Sequence, residues 1–97
     1  MIVQVTYNNN FGGTPYAAAE VTAPTKDIDQ ALEYAYRWTQ NISGSWSRKI
    51  GDDANDNVKV LHHNFDGSGL RSSMVGDEFL VDGKTFKVAP FGFEEVV

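Results

Sequence analysis

Glu78-Phe79-Leu80-Val81-Asp82-Gly83-Lys84-Thr85-Phe86-Lys87-Val88 is the stretch that decides the fold. Asp-Gly is a preferred pair for a two-residue hairpin turn. Folding the stretch about Asp82-Gly83 sets Phe79 opposite Phe86 and Glu78 opposite Lys87. The first pair builds a core face, and the second is an opposite-charge pair on the solvent face. Each such pair is worth roughly 0.2–1 kcal/mol. Two independent pairs agree on one register, so residues 78–88 read as a β-hairpin.

Outward from the hairpin, Phe91 and Phe93 alternate in a last strand after Pro90. Upstream, residues 58–65 read as a strand that ends in the turn Asp66-Gly67-Ser68-Gly69. At the other end of the chain, Val3, Val5 and Tyr7 alternate with Gln4 and Thr6, the period of a half-buried strand. Asn8 to Pro15 is a polar loop rich in turn formers. Tyr16 to Thr22 pairs back as a second strand; its alanines would also suit a helix, but Pro15 and Pro24 bracket a segment too short for one. Residues 27–42 predict the single helix. Asp27 caps it, with Gln30 in the capping-box position. Ile28, Ala31, Leu32, Ala35, Thr39 and Ile42 form its buried stripe, and Tyr34, Trp38 and Tyr36 flank that stripe. Glu33 and Arg37 sit one turn apart on the wet face, and Gly44 stops the helix. Residues 43–57 are left as a long loop, which in a domain of this size is either functional or mobile. The result is an α+β fold: an antiparallel sheet of five to six strands, in the order β-β-α-β-β-β-β, with one helix packed on one face.

The 97 residues suffice for one domain, residues 1–97, with one core. Eight Lys and Arg against thirteen Asp and Glu give a net charge of −5. That balance argues against direct nucleic-acid binding and against docking on anionic lipid, both of which need a cationic face. It permits a basic protein partner, or it simply maintains solubility. With no cysteine, disulfides, thiolate metal sites and cysteine nucleophiles are excluded. The start, Met1-Ile2-Val3-Gln4-Val5, does not read as a signal peptide, and no stretch is long enough to cross a bilayer. Cytoplasmic residence is the expectation, and the sequon Asn41-Ile42-Ser43 is then fortuitous.

Chemistry is sparse. There is no nucleophile elbow, no Walker loop and no zinc-protease helix motif. Gly67-Ser68-Gly69 lacks the context of a dinucleotide site. Asp53-Ala54-Asn55-Asp56-Asn57 alternates oxygen ligands, but a calcium loop begun at Asp53 needs glycine and glutamate where Val58 and Asn64 stand. His62 and His63 are strand neighbours on opposite faces and cannot easily share a metal; either could act alone as a base beside Asp66. No catalytic set, metal site or cofactor is expected. Two binding surfaces are candidates. Asp27, Asp29, Glu33, Asp52, Asp53, Asp56, Glu94 and Glu95, spread over one face, would imitate a row of phosphates and occupy a basic groove. Alternatively Trp38, Trp46, Arg48 and Arg71 could stack on a base and pair a phosphate.

The segments Arg71-Ser72-Ser73-Met74-Val75-Gly76-Asp77, Val81-Asp82-Gly83 and Phe91-Gly92-Phe93, with Trp38-Thr39-Gln40-Asn41 and Ser45-Trp46-Ser47, resemble small proteins encoded on phages and plasmids. In size, acidity and lack of catalytic residues the chain is similar in class to anti-CRISPR and other counter-defence proteins. The resemblance implies a non-enzymatic inhibitor acting in the host cytoplasm. Its partner would be a host protein with a basic nucleic-acid-binding surface, a CRISPR effector complex being one example. The alternatives are a nucleotide-signal binder acting as a homo-oligomer, a virion structural or assembly protein, and a hydrolase or transferase using His62 or His63.

Overall fold

The computed structural model describes residues 1–8 and 13–97, so part of the polar loop after β1, Asn9 to Gly12, lies outside the described residues. Alternation makes β1 (Ile2–Tyr7) a strand whose Val3, Val5 and Tyr7 are wholly buried. β2 (Tyr16–Thr22) returns beside it, with a bulge that places Ala18 as an extra residue between Ala19, opposite Val5, and Ala17, opposite Thr6. β3 (Val58–Val60) borders β2, while β4 (Glu78–Val81), β5 (Lys84–Val88) and β6 (Phe93–Val96) form a meander on the other side of β1. The sheet has six antiparallel strands in the order β3-β2-β1-β4-β5-β6. The α+β architecture read from the sequence is the one observed.

The hairpin forms in the expected register. Phe79 pairs with Phe86 and Glu78 with Lys87. Asp82 and Gly83 both take positive φ, 53° and 73°, the conformation a two-residue turn with the sheet's own twist requires. Cross-strand partners share a face, so one face carries Val3, Val5, Val21, Phe79, Val81, Phe86, Val88 and Phe93. The other carries Gln4, Glu20, Lys59, Glu78, Lys87 and Glu94, the wet side.

The helix α1 (Ile28–Arg37) lies on the apolar face against β1 and β4, burying Ala31, Leu32 and Ala35. Asp27 accepts from the Asp29 N–H at 2.9 Å. Gln30 does not close the capping box directly: Thr25 stands between, its hydroxyl donating to Gln30 Oε1 and accepting from the Asp27 N–H. The helix is shorter than the predicted 27–42. Beyond Trp38, the Thr39 hydroxyl donates back to the Ala35 carbonyl at 2.8 Å, and its own carbonyl accepts from the Ser73 N–H, which draws the chain off the helical path. Ile42 therefore leaves the buried stripe and is 67% exposed. The Glu33–Arg37 pair is replaced by an ion pair from Arg37 to Asp53 at 3.3 Å. β3 also stops earlier than residue 65. After Val60 the Leu61 N–H bonds the carbonyl of the bulged Ala18, and the ladder ends there.

The segment 43–57 is built around one carboxylate. Asp53, in a short 3-10 turn (Gly51–Asp53), is buried; its Oδ2 accepts from the N–H groups of Ile42, Ser43 and Gly44 at 2.9, 2.8 and 2.7 Å. Burial alone would raise its pKa. Those three N–H groups and Arg37 outweigh burial and hold it below the ordinary carboxylate range. Asp77 does the same for residues 70–77. It accepts two bonds from Arg71, at 2.7 and 2.8 Å, and the N–H groups of Asn8 and Met74. Between these two carboxylates Trp46 is wholly buried, its ring edge-on to Tyr7 and its Nε1 donating to the Arg71 carbonyl.

Candidate functional site

Of the two surfaces read from sequence, the aromatic and basic set is not presented to solvent as one surface. Trp46 is core, and Arg71 is spent on Asp77, on the carbonyls of Asn8 and Ser72, and on the face of Tyr7, 4.2 Å from its ring centre. Trp38 is half-buried under the Arg37 guanidinium, and Arg48 alone of the four is exposed. The acidic set is exposed but divided, Glu94 standing on the wet side of the sheet and Glu95 on its groove face. Asp27, Asp29, Glu33, Asp52, Asp56, Glu94 and Glu95 are exposed, and Asp53 is the exception, withdrawn into the loop it organises. This also removes Asp53 from any calcium-like use of residues 53–57.

The histidines separate as a strand would separate them. His62 stacks on Tyr16, ring centres 4.1 Å apart, and His63 is exposed. Asp66, proposed as their acidic neighbour, gives its carboxylate to the Ser68 hydroxyl and N–H, which lower its pKa. Among the described residues no group of three or more His, Cys, Asp or Glu could hold a metal ion. The buried hydroxyls of Tyr7, Ser73 and Thr39 form a chain, Tyr7 donating to the Arg71 carbonyl and Ser73 lying 2.6 Å from Thr39. Burial drives the Tyr7 phenol well above its ordinary pKa, so it stays a neutral structural donor.

What sequence reading missed is a groove. The helix covers β1 and β4 and leaves the β5–β6 end of the same apolar face uncovered. Between α1 and that end lies a cleft of about 490 Å3, lined on the helix side by Glu33, Tyr36, Arg37, Gln40 and Ile42 and on the sheet side by Val88, Ala89, Pro90, Gly92 and Phe93. A second hollow of about 250 Å3 shares Glu33, Gly92 and Phe93 and adds Asp29, Leu32 and Phe86, so the groove continues towards the helix N-terminus. Phe93 joins core to groove, tilted on Phe79 at 5.3 Å and edge-on to Tyr36 at 6.1 Å. The turn Ala89-Pro90-Phe91-Gly92 closes the groove at one end and holds Phe91 97% exposed.

Charge around the groove is uneven. Asp29 and Glu33 stand on the helix, and Glu95 stands on the sheet as the register partner of Phe86. Lys84, two residues from Phe86, is the cation of that sheet face, and Arg37 lies at the far end, held by Asp53. The signal for this site was present in the sequence as Phe91 and Phe93 flanking a glycine. Alternation assigned both to a strand; only the turn at Pro90 turns one of them out.

Comparison with family models, curated proteins and solved structures finds no match to this chain. Among the described residues, no helix is long and apolar enough to cross a membrane.

Proposed function

We propose that this chain is a non-catalytic protein-binding module whose contact surface is the groove between α1 and β5–β6, together with Phe91. The observation that carries this reading is an exposed aromatic at a hairpin tip beside an open apolar cleft. A large aromatic beside a pocket is the usual composition of an energetic anchor, and a contiguous apolar patch left in water marks an interaction site. The acidic groups on the rim select a partner with cationic residues around an apolar anchor point. Arg71 bonded to Asp77 and the buried hydroxyls bonded to one another support a structural rather than a reactive role for those groups.

The finer reading is a phage-type, anti-CRISPR-like inhibitor in the host cytoplasm that covers a basic, nucleic-acid-binding surface of a defence protein. It is supported by the net charge of −5 and by seven exposed carboxylates, Asp27, Asp29, Glu33, Asp52, Asp56, Glu94 and Glu95. The test is an affinity pull-down from host lysate at low and high salt, with wild type, Phe91→Ala and the triple charge reversal Glu33→Lys, Glu94→Lys, Glu95→Lys. A nucleic-acid-binding protein retained by wild type and lost to each variant supports the inhibitor. Retention indifferent to salt and to the reversal rules out phosphate mimicry. Retention indifferent to Phe91→Ala removes the groove.

A further inference from the structure

β6 is the outer strand of the sheet, and no described residue pairs on its far side. In an antiparallel ladder, successive residues alternate between bonding the neighbour and pointing away from it. The Ala89 N–H bonds the Gly92 carbonyl at 2.9 Å, and Val88 exchanges its bonds with Gly76 and Asp77 on the opposite side. Counting along from there, Lys87 with Glu94 and Thr85 with Val96 are the hydrogen-bonded pairs, and Phe93 and Glu95 turn their N–H and C=O groups outward. The side chains of these same two residues stand on the groove face of the sheet. A chain that bonded their backbone would place its own side chains beside Phe93, at the groove, and beside Glu95.

We infer that β6 accepts an extended segment of a partner protein as a seventh strand, and that this segment carries an aliphatic residue beside Phe93 and a lysine or arginine beside Glu95. The inference rests on the groove as the contact surface and names what lies against its open side. Charge complementarity selects the occupant. Glu94 and Glu95 put a carboxylate on each face of a four-residue edge. A second copy of this chain would bring the same carboxylates together, and like charges facing each other across strands are unfavourable. A cationic segment meets Glu95, whose register partner is the uncharged Phe86, while Glu94 is shared with Lys87; it gains main-chain hydrogen bonds from Phe93 and Glu95 and covers the apolar flank of Phe93.

The test uses the whole chain and a blocked synthetic peptide with the core Lys-Lys-Val, whose first lysine and valine lie two residues apart on one face and so sit beside Glu95 and Phe93 in an antiparallel pairing, followed by amide NMR. The controls are the same peptide with glutamate in place of lysine and a version N-methylated at alternate amides, which keeps every side chain but cannot join a sheet. The expected result is binding of the lysine peptide with exchange protection of the Phe93 and Glu95 amides. Affinity should fall at least about tenfold for either control peptide. Glu95→Pro removes an outward N–H without touching the ladder to β5, as proline on an edge strand allows. It should lose binding further than Glu95→Gln, with the hairpin amides unchanged as the check on folding. Equal binding of the N-methylated peptide, with shifts at Tyr36 and Phe91 and none at Phe93 or Glu95, overturns strand addition and leaves the groove standing. A concentration-dependent dimer that protects the Phe93 and Glu95 amides without peptide assigns the edge to a second copy and also overturns it. No binding by any peptide overturns it too, while Phe91→Ala in the pull-down still decides the groove independently.

Discussion

The two ends of the apolar sheet face are treated in opposite ways. At the β1–β2 end, residues 38–57 and 61–77 cross over Tyr7 and bury Trp46, and the polar side chains they bring inside are answered. Among the described residues no buried side-chain nitrogen or oxygen lacks a partner. At the β5–β6 end Phe86, Val88 and Phe93 come from the same alternation, yet only one flank of the helix approaches them and a groove remains. The covering is not a matter of more apolar residues. It depends on Asp53 and Asp77, which fix irregular backbone over the first end by accepting N–H groups that would otherwise be left unpaired. The open end has no such carboxylate. Sealing a sheet face with loops takes polar organisers as well as apolar mass, and where they stop, surface is left for something else.

That contrast can be broken most forcefully at its covered end. Trp46→Ala should destabilise the chain by about 3–5 kcal/mol, the usual cost of emptying a buried tryptophan site, measured by urea unfolding. Asp77→Ala should cost about 3 kcal/mol or more, because it leaves the Arg71 charge and two N–H groups unanswered. Gly44→Ala comes next. A methyl group there would collide with the Ile50 carbonyl, and a backbone clash of this kind costs about 1–3 kcal/mol; the amides of Ile42, Ser43 and Gly44 should then exchange faster. A Gly44→Ala chain as stable as wild type would show that the loop around Asp53 is not held as tightly as its hydrogen bonds imply.

A sharper probe is pH. The folded pKa of Asp53 lies below its ordinary value of 3.8. The unfolded chain therefore takes up the proton first on acidification. The contribution of Asp53 to stability is present above the ordinary carboxylate range and is lost as pH falls through the lowered folded value. Asp53→Asn should be less stable than wild type at neutral pH, and the gap should narrow as the pH drops through that window. A constant gap would mean that the charge contributes nothing. The smallest expected effect lies at the open end. Phe91→Ala should change stability by no more than about 0.5 kcal/mol, as for an exposed position, while partner retention is lost. A large stability loss there would make Phe91 a structural residue and close the comparison.

The sheet was largely legible because its signals are local. Asp82-Gly83 fixes its own turn, and alternation in β1 needs only neighbouring residues. What was not legible depends on partners far along the chain. Thr39 ends the helix with help from Ser73, and Leu61 ends β3 on a bulge at Ala18. Asp53, read among the acidic surface groups, looks no different in sequence from exposed Asp52. Its burial follows from three N–H groups that only a folded loop assembles. The Trp and Arg cluster failed for the same reason: residue type suggested a binding surface, but Tyr7 and Asp77 had claims on Trp46 and Arg71 that spacing does not reveal. Phe91 and Phe93 were visible at the edge of the groove, but the groove itself is defined by what the helix fails to cover, which local spacing does not record.

The placement of β1 between β2 and β4 also has a consequence for biosynthesis. β2 emerges soon after β1 and occupies one edge, but the other edge waits for the partner of Val5, which is Phe79. At ~5–20 residues per second, the ribosome takes roughly 4–15 s to deliver it. Through that interval the nascent chain holds out a hairpin whose β1 edge stays bare, and whose β2 edge is bare until β3 arrives, a template for pairing with the next chain on the same message. A chaperone that shields that intermediate would therefore raise the yield of folded protein without changing the stability of the finished sheet.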